Sequence, residues 1–204
     1  MEIASKPTII GLAGYAGAGK DSFASLLKTA FTERQLKTVI VSSGDLIRQY
    51  VAENQLGDPG DRAVLRQAVD DVGAAHGYTF WLERALQQGS QQDIILYPGL
   101  RQAVESNFLH EHHNLVVGIE VPIKIRYARA QARNRPGDEI SFETFVANEE
   151  AERAGSAQQI AAVMSKLDVT VLNNGTLEQL GTVARRIAAD FPNNLQKTYD
   201  ANSF

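Results

Sequence analysis

The sequence predicts an α/β fold built around a five-stranded parallel β-sheet. Five apolar runs bounded by turn residues have the length of buried strands, at residues 8–13, 38–42, 93–97, 115–121 and 169–172. Helical stretches separate consecutive runs, and this alternation is typical of right-handed crossovers between parallel strands. A glycine-rich loop joins the first predicted strand to the first predicted helix.

Helices are predicted between and after these strands. Their ranges are 20–34, 46–54, 61–73, 79–88, 101–111, 123–133, 141–152, 157–167 and 177–190. Two connections, 44–92 and 122–168, are too long for plain crossovers, and long insertions often carry mobile functional elements. We therefore expect one domain over residues 1–190, with functional insertions at 44–92 and 122–155. The segment 191–204 is expected to be a polar tail, with a composition typical of disorder.

Composition narrows the class of protein. The chain carries a net charge of −4 and no cysteine, which excludes disulfides and cysteine-ligated zinc. A negative charge gives no general attraction to nucleic acid or to an anionic membrane. No apolar run reaches the roughly 18 residues that span a bilayer, and the first residues are too glycine-rich for a secretory signal. We expect a soluble, cytoplasmic protein that binds neither nucleic acid nor membranes.

The glycine-rich loop fits the spacing G-x-x-x-x-G-K. Its residues are Gly14, Tyr15, Ala16, Gly17, Ala18, Gly19 and Lys20. Glycines let backbone amides approach phosphate oxygens, and the following helix points its N-terminal amides at the same anion. The lysine adds a mobile charge for the outer phosphates, while Ser22 is placed to contact a phosphate or cap an amide. The pattern predicts nucleotide phosphate binding, and a merely structural glycine turn is the alternative.

An aspartate, Asp21, follows the lysine where this motif usually has serine or threonine. A carboxylate beside a polyphosphate is repelled unless a cation lies between them, and Mg²⁺ favours sites made of carboxylates and phosphates. Asp21 is therefore a candidate metal-binding residue. The alternative is an acid stabilised at a helix N-terminus by the helix dipole.

Two segments resemble the acceptor side of adenylate kinases and related nucleoside monophosphate kinases. SGDLIR at 43–48 resembles their T/S-G-D-[LM]-[LI]-R motif, and LYPGLR at 96–101 resembles their hydrophobic-D-G-hydrophobic-R segment. The resemblance implies that Arg48 and Arg101 hold the acceptor phosphate, with Asp45 as a further substrate-binding residue. A guanidinium fork suits a phosphate. Pro98 stands where the family has aspartate, and a surface arginine on a capped helix is the alternative for Arg48.

Two further segments extend the resemblance. RQAVESNFL at 101–109 follows the R-x-x-x-E-x-x-F-[LR] cadence of an archaeal adenylate kinase-like group, in which Glu105 is placed to orient the arginine one turn before it. VTVLNNGTL at 169–177 resembles the hydrophobic-x-N-x-G-[ST]-L segment of dephospho-CoA kinases and their relatives. In that family the segment lies near the adenine of ATP, which implies cofactor binding by Asn173 and Gly175.

The most basic stretch of the chain carries Arg126, Arg129 and Arg133 at helical spacing, so they share one face. A Pro-Gly pair at 136–137 is predicted to end this helix. In nucleotide kinases this region is the lid, which implies catalytic roles for Arg129 and Arg133 beside Lys20. Phosphoryl transfer needs positive charge near the equatorial oxygens. A solvated basic helix face is the alternative.

Together these resemblances imply a three-layer P-loop NTPase fold with the strand order 2-3-1-4-5, an acceptor-binding insertion and a lid. They imply an ATP- and Mg²⁺-dependent kinase that acts on a small phosphorylated acceptor, with a (deoxy)nucleoside monophosphate as the first candidate. Small-molecule nucleotides are the expected partners. Dephospho-CoA kinase is one alternative. A nucleotide-binding switch or ATPase is another, favoured by the missing strand-end aspartate. The sequence does not indicate the oligomeric state.

Overall fold

The structure, a computed structural model, describes residues 7–133, 139–154 and 159–203. Within these ranges the strands are β1 (Thr8–Ala13), β2 (Thr38–Ile40), β3 (Ile94–Pro98), β4 (Leu115–Glu120), β5 (Val169–Leu172) and β6 (Thr198–Asp200). The helices are α1 (Lys20–Glu33), α2 (Ser43–Glu53), α3 (Arg62–His76), α4 (Phe80–Gln88), α5 (Ala103–Glu111), α6 (Ile123–Arg133), α7 (Phe142–Ala154), α8 (Ile160–Met164) and α9 (Leu177–Asp190). A short 3-10 helix, Ala201–Ser203, follows β6. The predicted helix-ending pair at 136–137 lies outside the described residues.

The strands form one parallel sheet in the order β2-β3-β1-β4-β5-β6. The predicted α/β class and the order of the first five strands are confirmed. The predicted count of five strands is wrong, because β6 adds a sixth strand beside β5. β1 lies between β3 and β4, and Ile10 is in register with Leu96 on one side and with Leu115 on the other. The end of β1 is therefore at the centre of the carboxyl edge of the sheet.

The sixth strand comes from the segment that the sequence analysis set apart as a polar tail. Tyr199 is 2% exposed, and its hydroxyl donates to Asp190 (2.8 Å) and accepts from the backbone N–H of Gln196 (2.9 Å). Thr198 and Asp200 flank it with polar side chains. Three residues with a single apolar member give no apolar run, and for this reason the sequence pattern did not reveal the strand.

Helices cover both faces of the sheet. Successive β1 side chains alternate between the faces, so Ile10 and Leu12 join one core while Ile9 and Ala13 join the other. The first core is closed by α1 and α9, including Phe23, Leu27, Val183 and Ile187. The second is closed by residues of α2, α3, α4, α5 and α8, including Leu46, Val72, Trp81, Leu109 and Val163. This arrangement is the expected three-layer architecture.

Two helices begin at residues other than those predicted. α2 begins at Ser43, three residues earlier than predicted, with Ser42 in extended conformation as its N-cap. α5 begins at Ala103 because Gln102 and Glu105 form a reciprocal capping box. Within the described ranges, none of the helices combines the length and the apolar character needed to cross a membrane.

The buried tail predicts a stability effect. Replacing Tyr199 with alanine removes a buried ring and two hydrogen bonds, so we expect the free energy of unfolding to fall by about 3–5 kcal/mol. Urea denaturation followed by circular dichroism measures the change. The matched control is Lys197→Ala, an exposed position two residues away, for which we expect a change within about 0.5 kcal/mol. Equal midpoints for the two variants would contradict the packing of the tail.

Candidate active site

The glycine-rich loop lies at the carboxyl end of β1 and leads directly into α1. Gly17 and Gly19 have φ angles of 76° and 88°. A Cβ on Gly17 would lie 2.6 Å from the Arg126 carbonyl oxygen, and one on Gly19 would lie 2.8 Å from the side-chain nitrogen of Asn173. Both positions therefore require glycine for backbone conformation and for space. The loop is packed against the two connections that follow β4 and β5.

Lys20 folds back over the loop. Its ammonium group donates to the carbonyl oxygens of Gly14 (2.7 Å) and Tyr15 (3.1 Å). Among the described residues, no side chain caps the N-terminus of α1. The first-turn amides and the lysine charge thus share one end of the helix, an arrangement suited to an anion.

Asp21 and Ser22 are both exposed in the first turn of α1. In the part of the chain that the structure describes, no group of three or more acidic, histidine or cysteine side chains could hold a metal ion. A site with one carboxylate fits Mg²⁺ bound mainly by phosphates and water. The metal-binding role of Asp21 stays a prediction.

The three arginines of α6 lie in three different environments. Arg126 is 4% exposed and forms an ion pair with Glu149 of α7. The Arg129 guanidinium is half-buried and donates to the carbonyl oxygens of Asn173 (3.1 Å) and Gly175 (3.4 Å), and burial lowers its pKa. Arg133 is exposed at the end of the helix. The charge of Arg126 is thus neutralised inside the protein, whereas the catalytic roles of Arg129 and Arg133 stay a prediction.

The segment after β5 contacts the loop through Asn173. The Asn173 side chain is buried and donates to the carbonyl oxygen of Ala18 (2.9 Å), while the Asn173 backbone N–H donates to the carbonyl oxygen of Glu120 (2.9 Å). Thr176 caps α9 in a capping box with Gln179. Asn173 and Gly175 are the two residues predicted to bind the nucleotide base. Asn173 is thus hydrogen bonded to the glycine-rich loop, and both residues are hydrogen bonded to Arg129.

A cavity of about 500 Å³ opens beside the loop. Tyr15, Pro122, Arg126, Leu172 and Asn174 are among the residues that line it. Its volume falls in the range of small-molecule sites.

The two segments that resemble an acceptor side meet in the structure. The Ser43 hydroxyl donates to the Gly99 carbonyl oxygen (3.3 Å). Arg48 pairs with Asp45 at 2.9 Å on an exposed face of α2, a contact that contributes little to stability. Arg101 is exposed just after the β3 end. Both predicted acceptor arginines are therefore accessible at the carboxyl edge of the sheet.

A buried carboxyl group, which the sequence analysis assigned only to orienting Arg101, organises this edge. Glu105 accepts hydrogen bonds from the Tyr97 hydroxyl (3.0 Å) and from the backbone N–H groups of Arg101 (3.2 Å) and Gln102 (3.1 Å). Burial raises the pKa of Glu105, although these hydrogen bonds oppose the rise. Burial, and then the Glu105 carboxylate, raise the pKa of Tyr97 well above its usual value.

The sequence did not reveal the hydrogen-bond partners of Glu105 and Arg126. Tyr97 and Glu149 were not candidates, although each makes a buried hydrogen bond to a residue that was discussed. An acid at helix position N3 after glutamine is a capping-box signal that marks Glu105. We find no sequence signal for the contact between Arg126 and Glu149, which are 23 residues apart.

No protein-family model matches the chain. Its sequence relatives include archaeal proteins named UPF0200 protein. One from Methanococcus maripaludis strain C6 is 28% identical over 196 residues, which cover 94% of this chain and 95% of the relative. One from Methanocaldococcus jannaschii is 27% identical over 195 residues, which cover 93% of each chain. These names state no activity, and the similarity extends over nearly the whole length of both proteins.

Solved structures of similar fold include TT1252 from Thermus thermophilus, with a TM-score of 0.59 at 18% identity, covering 92% of this chain and 99% of that one. APS kinase from Mycobacterium tuberculosis has a TM-score of 0.55 at 14% identity, covering 90% and 98%. Shikimate kinase from Acinetobacter baumannii has a TM-score of 0.52 at 17% identity, covering 90% of each chain. At these identities the likeness shows the fold alone. The chain has a P-loop kinase-like fold, and the finer adenylate kinase-like assignment stays a prediction.

The buried carboxyl group predicts a pH dependence of stability. Because the native state raises the pKa of Glu105 above its ordinary value of 4.5, it binds this proton more tightly than the unfolded chain does. Its contribution to stability is then greatest below about pH 4.5 and falls as the pH rises through the native pKa. Glu105→Gln removes the titration. The free energy of unfolding of the wild type minus that of the variant should therefore fall with pH, by at most about 1.4 kcal/mol per pH unit.

Urea denaturation between about pH 4 and about pH 8 measures this difference. The matched control is Glu111→Gln, which removes an exposed carboxylate from the same helix. A difference between wild type and Glu105→Gln that stays constant or rises with pH would contradict the assignment.

Proposed function

We propose that this protein is an ATP-dependent phosphotransferase that acts on a small phosphorylated acceptor, with a (deoxy)nucleoside monophosphate as the first candidate. One observation carries the proposal. A phosphate-type loop ends the central strand, and the two acceptor-type segments are joined to each other at the ends of β2 and β3. The loop and the two acceptor-type segments therefore lie along one edge of the sheet, and this proximity supports transfer between a donor and an acceptor bound there.

The donor side would bind ATP through the loop at 14–19, Lys20 and Ser22. Backbone amides of the loop and of the first turn of α1 supply hydrogen bonds, and Lys20 supplies positive charge for the outer phosphates. Asn173 and Gly175, joined to the loop by the Asn173–Ala18 hydrogen bond, would border the base. Nucleotides are thus the proposed small-molecule partners.

The acceptor side would bind a phosphate through Arg48 and Arg101, and Asp45 would hold Arg48 in place before the acceptor arrives. Arg129 and Arg133 are the proposed catalytic arginines beside Lys20. Arg133 is exposed and Arg129 is half-buried, so Arg133 is the more accessible of the two to a substrate. Positive charge around the transferred group lowers the barrier because the phosphoryl oxygens carry the negative charge.

Mg²⁺ would be held by phosphates and water, with Asp21 as the protein ligand. When bound, the ion neutralises phosphate charge. The exposed carboxylate of Asp21 stands at the helix end where the phosphates would bind, so it would repel them unless a cation lies between.

Two other functions have specific support. The segment at 173–177 resembles the one that lies near the adenine of ATP in dephospho-CoA kinases and their relatives, and this family resemblance makes dephospho-CoA an alternative acceptor. Pro98 at the β3 end, where kinases of this type have aspartate, favours a nucleotide-binding switch or ATPase. The compound that accepts the phosphoryl group, or the absence of a required acceptor, distinguishes these three functions.

An acceptor screen tests the proposed function. ADP formation from ATP is measured with each nucleoside monophosphate, each deoxy form and dephospho-CoA, and with no acceptor. We expect one acceptor to increase turnover, and Lys20→Met to reduce that turnover by at least about 100-fold, since one charge-assisted phosphate contact is worth roughly 1.5–3 kcal/mol and positions the reacting group as well.

Lys28→Met is the matched control, because Lys28 is an exposed lysine on the same helix. Acceptor-independent ATP hydrolysis would support the ATPase alternative. Unchanged turnover in Lys20→Met would show that the loop is not the phosphate site.

The metal role of Asp21 is tested by titrating Mg²⁺. Asp21→Asn should raise the Mg²⁺ concentration for half-maximal activity by about tenfold, because one charged ligand contact is lost. Metal-free ADP should bind the variant at least as tightly as the wild type, because a repulsive charge is gone. Glu33→Gln, at the far end of α1, is the control. An unchanged Mg²⁺ requirement would identify Asp21 as a helix-dipole acid.

A further inference from the structure

Arg126 contacts three separate parts of the chain from one buried position. Its Nε donates to the Val121 carbonyl oxygen (3.0 Å), and its Nη1 donates to the Ala16 carbonyl oxygen in the phosphate loop (3.2 Å). The same guanidinium forms two hydrogen bonds with the Glu149 carboxylate of α7. It also lies over the Tyr15 ring, with Cζ 5.2 Å from the ring centre. A planar guanidinium with five donors can make all these contacts at once, whereas a lysine ammonium cannot.

The contact with Ala16 fixes the orientation of a peptide group in the loop. In a planar trans peptide the C=O and the following N–H point in opposite directions. Because the Ala16 carbonyl oxygen points at Arg126, the Gly17 N–H points away from it. The Asn173 side chain fixes the Ala18–Gly19 peptide in the same way. It donates to the Ala18 carbonyl oxygen and so orients the Gly19 N–H.

Packing of the backbone reinforces this contact. The site of a Cβ on Gly17 would be 2.6 Å from the Arg126 carbonyl oxygen and 3.1 Å from the Arg126 Cβ. The first turn of α6 therefore lies directly against the loop. Any shift of Arg126 must move the Gly17 peptide or open a gap beside it.

Glu149 is needed to keep the guanidinium in this place. A buried charge without its partner is strongly destabilising, and Glu149 is itself only 7% exposed. Through this ion pair, α7 is connected to the glycine-rich loop, although α7 and the loop lie far apart in the sequence.

We propose that Arg126 is a positioning residue for the phosphate loop: held by Glu149, it fixes the Ala16–Gly17 peptide so that the Gly17 amide is set to bind a nucleotide phosphate. The proposal rests on the proposed function for the identity of its ligand. It assigns Arg126 to a role distinct from that of Arg129 and Arg133, since its guanidinium holds loop backbone and carries no free charge toward substrate.

The test separates positioning from simple stabilisation. The double variant Arg126→Met with Glu149→Leu replaces the buried pair by apolar side chains of similar size, a change that commonly leaves stability equal or higher. We expect its urea midpoint to be at least that of the wild type. In the ligand-free protein, amide hydrogen exchange in the segment 14–20 should nevertheless be about tenfold faster, and ADP should bind about tenfold or more weakly by calorimetry.

Two further variants complete the comparison. Glu150→Gln removes an exposed carboxylate from α7 beside Glu149 and should match the wild type in all three measurements. Arg126→Lys keeps a positive charge opposite Glu149 but cannot hold Ala16 as well, so it should show the same faster exchange. If the double variant does not fold, Arg126→Lys alone tests the positioning role.

The proposal is overturned if a folded double variant, or Arg126→Lys, exchanges its loop amides and binds ADP like the wild type. If the wild type itself does not bind ADP, the proposed function fails. The exchange measurement still decides the positioning role, because it uses no ligand.

Discussion

Two buried polar side chains hold the phosphate loop in its conformation, and the geometry of the site depends on them. Arg126 donates to the Ala16 carbonyl oxygen and Asn173 donates to the Ala18 carbonyl oxygen. They arrive from the connections after β4 and β5, on the same side of the central strand β1. The loop therefore has a fixed shape that comes from tertiary contacts as well as from its own glycines. A loop that is already ordered avoids the entropy cost of ordering when a ligand binds.

The opposite side of β1 is held by a different device. Gly99 donates its N–H to the Leu12 carbonyl oxygen (3.3 Å) and accepts from the Ser43 hydroxyl. The buried carboxyl group of Glu105 then fixes the chain direction after the glycine by accepting from two consecutive backbone N–H groups. Burying this carboxyl group is costly, as the raised pKa shows. The cost is concentrated at the strand end that carries Arg101, where the position of the backbone decides where a guanidinium can reach.

The three arginines on one face of α6 differ in burial and in their hydrogen-bond partners. Helical spacing places Arg126, Arg129 and Arg133 in line. Arg126 is buried and is neutralised by a carboxylate. Arg129 is half-buried and hydrogen bonds to a carbonyl oxygen of the segment after β5, and Arg133 is exposed. Burial therefore decreases along a single helix, and only the arginine at its end is exposed to solvent.

The sequence by itself determined the α/β class and the glycine-rich loop at the end of β1, because apolar periodicity and glycine spacing are local properties. The order of the first five strands followed from the resemblance of several motifs to nucleotide kinases, and the sheet has that order. It also placed α6 and α9 at their observed bounds. Only the tertiary structure decided that a polar three-residue segment around Tyr199 completes the sheet, that Arg126 is buried against Glu149, and that Glu105 is a buried acid shared with Tyr97. Each of these depends on which residue lies opposite in the fold. Arg126 and Glu149 are 23 residues apart, Tyr97 and Glu105 are 8 apart, and β6 pairs along a sheet edge, and none of these pairings leaves a periodic trace in the chain.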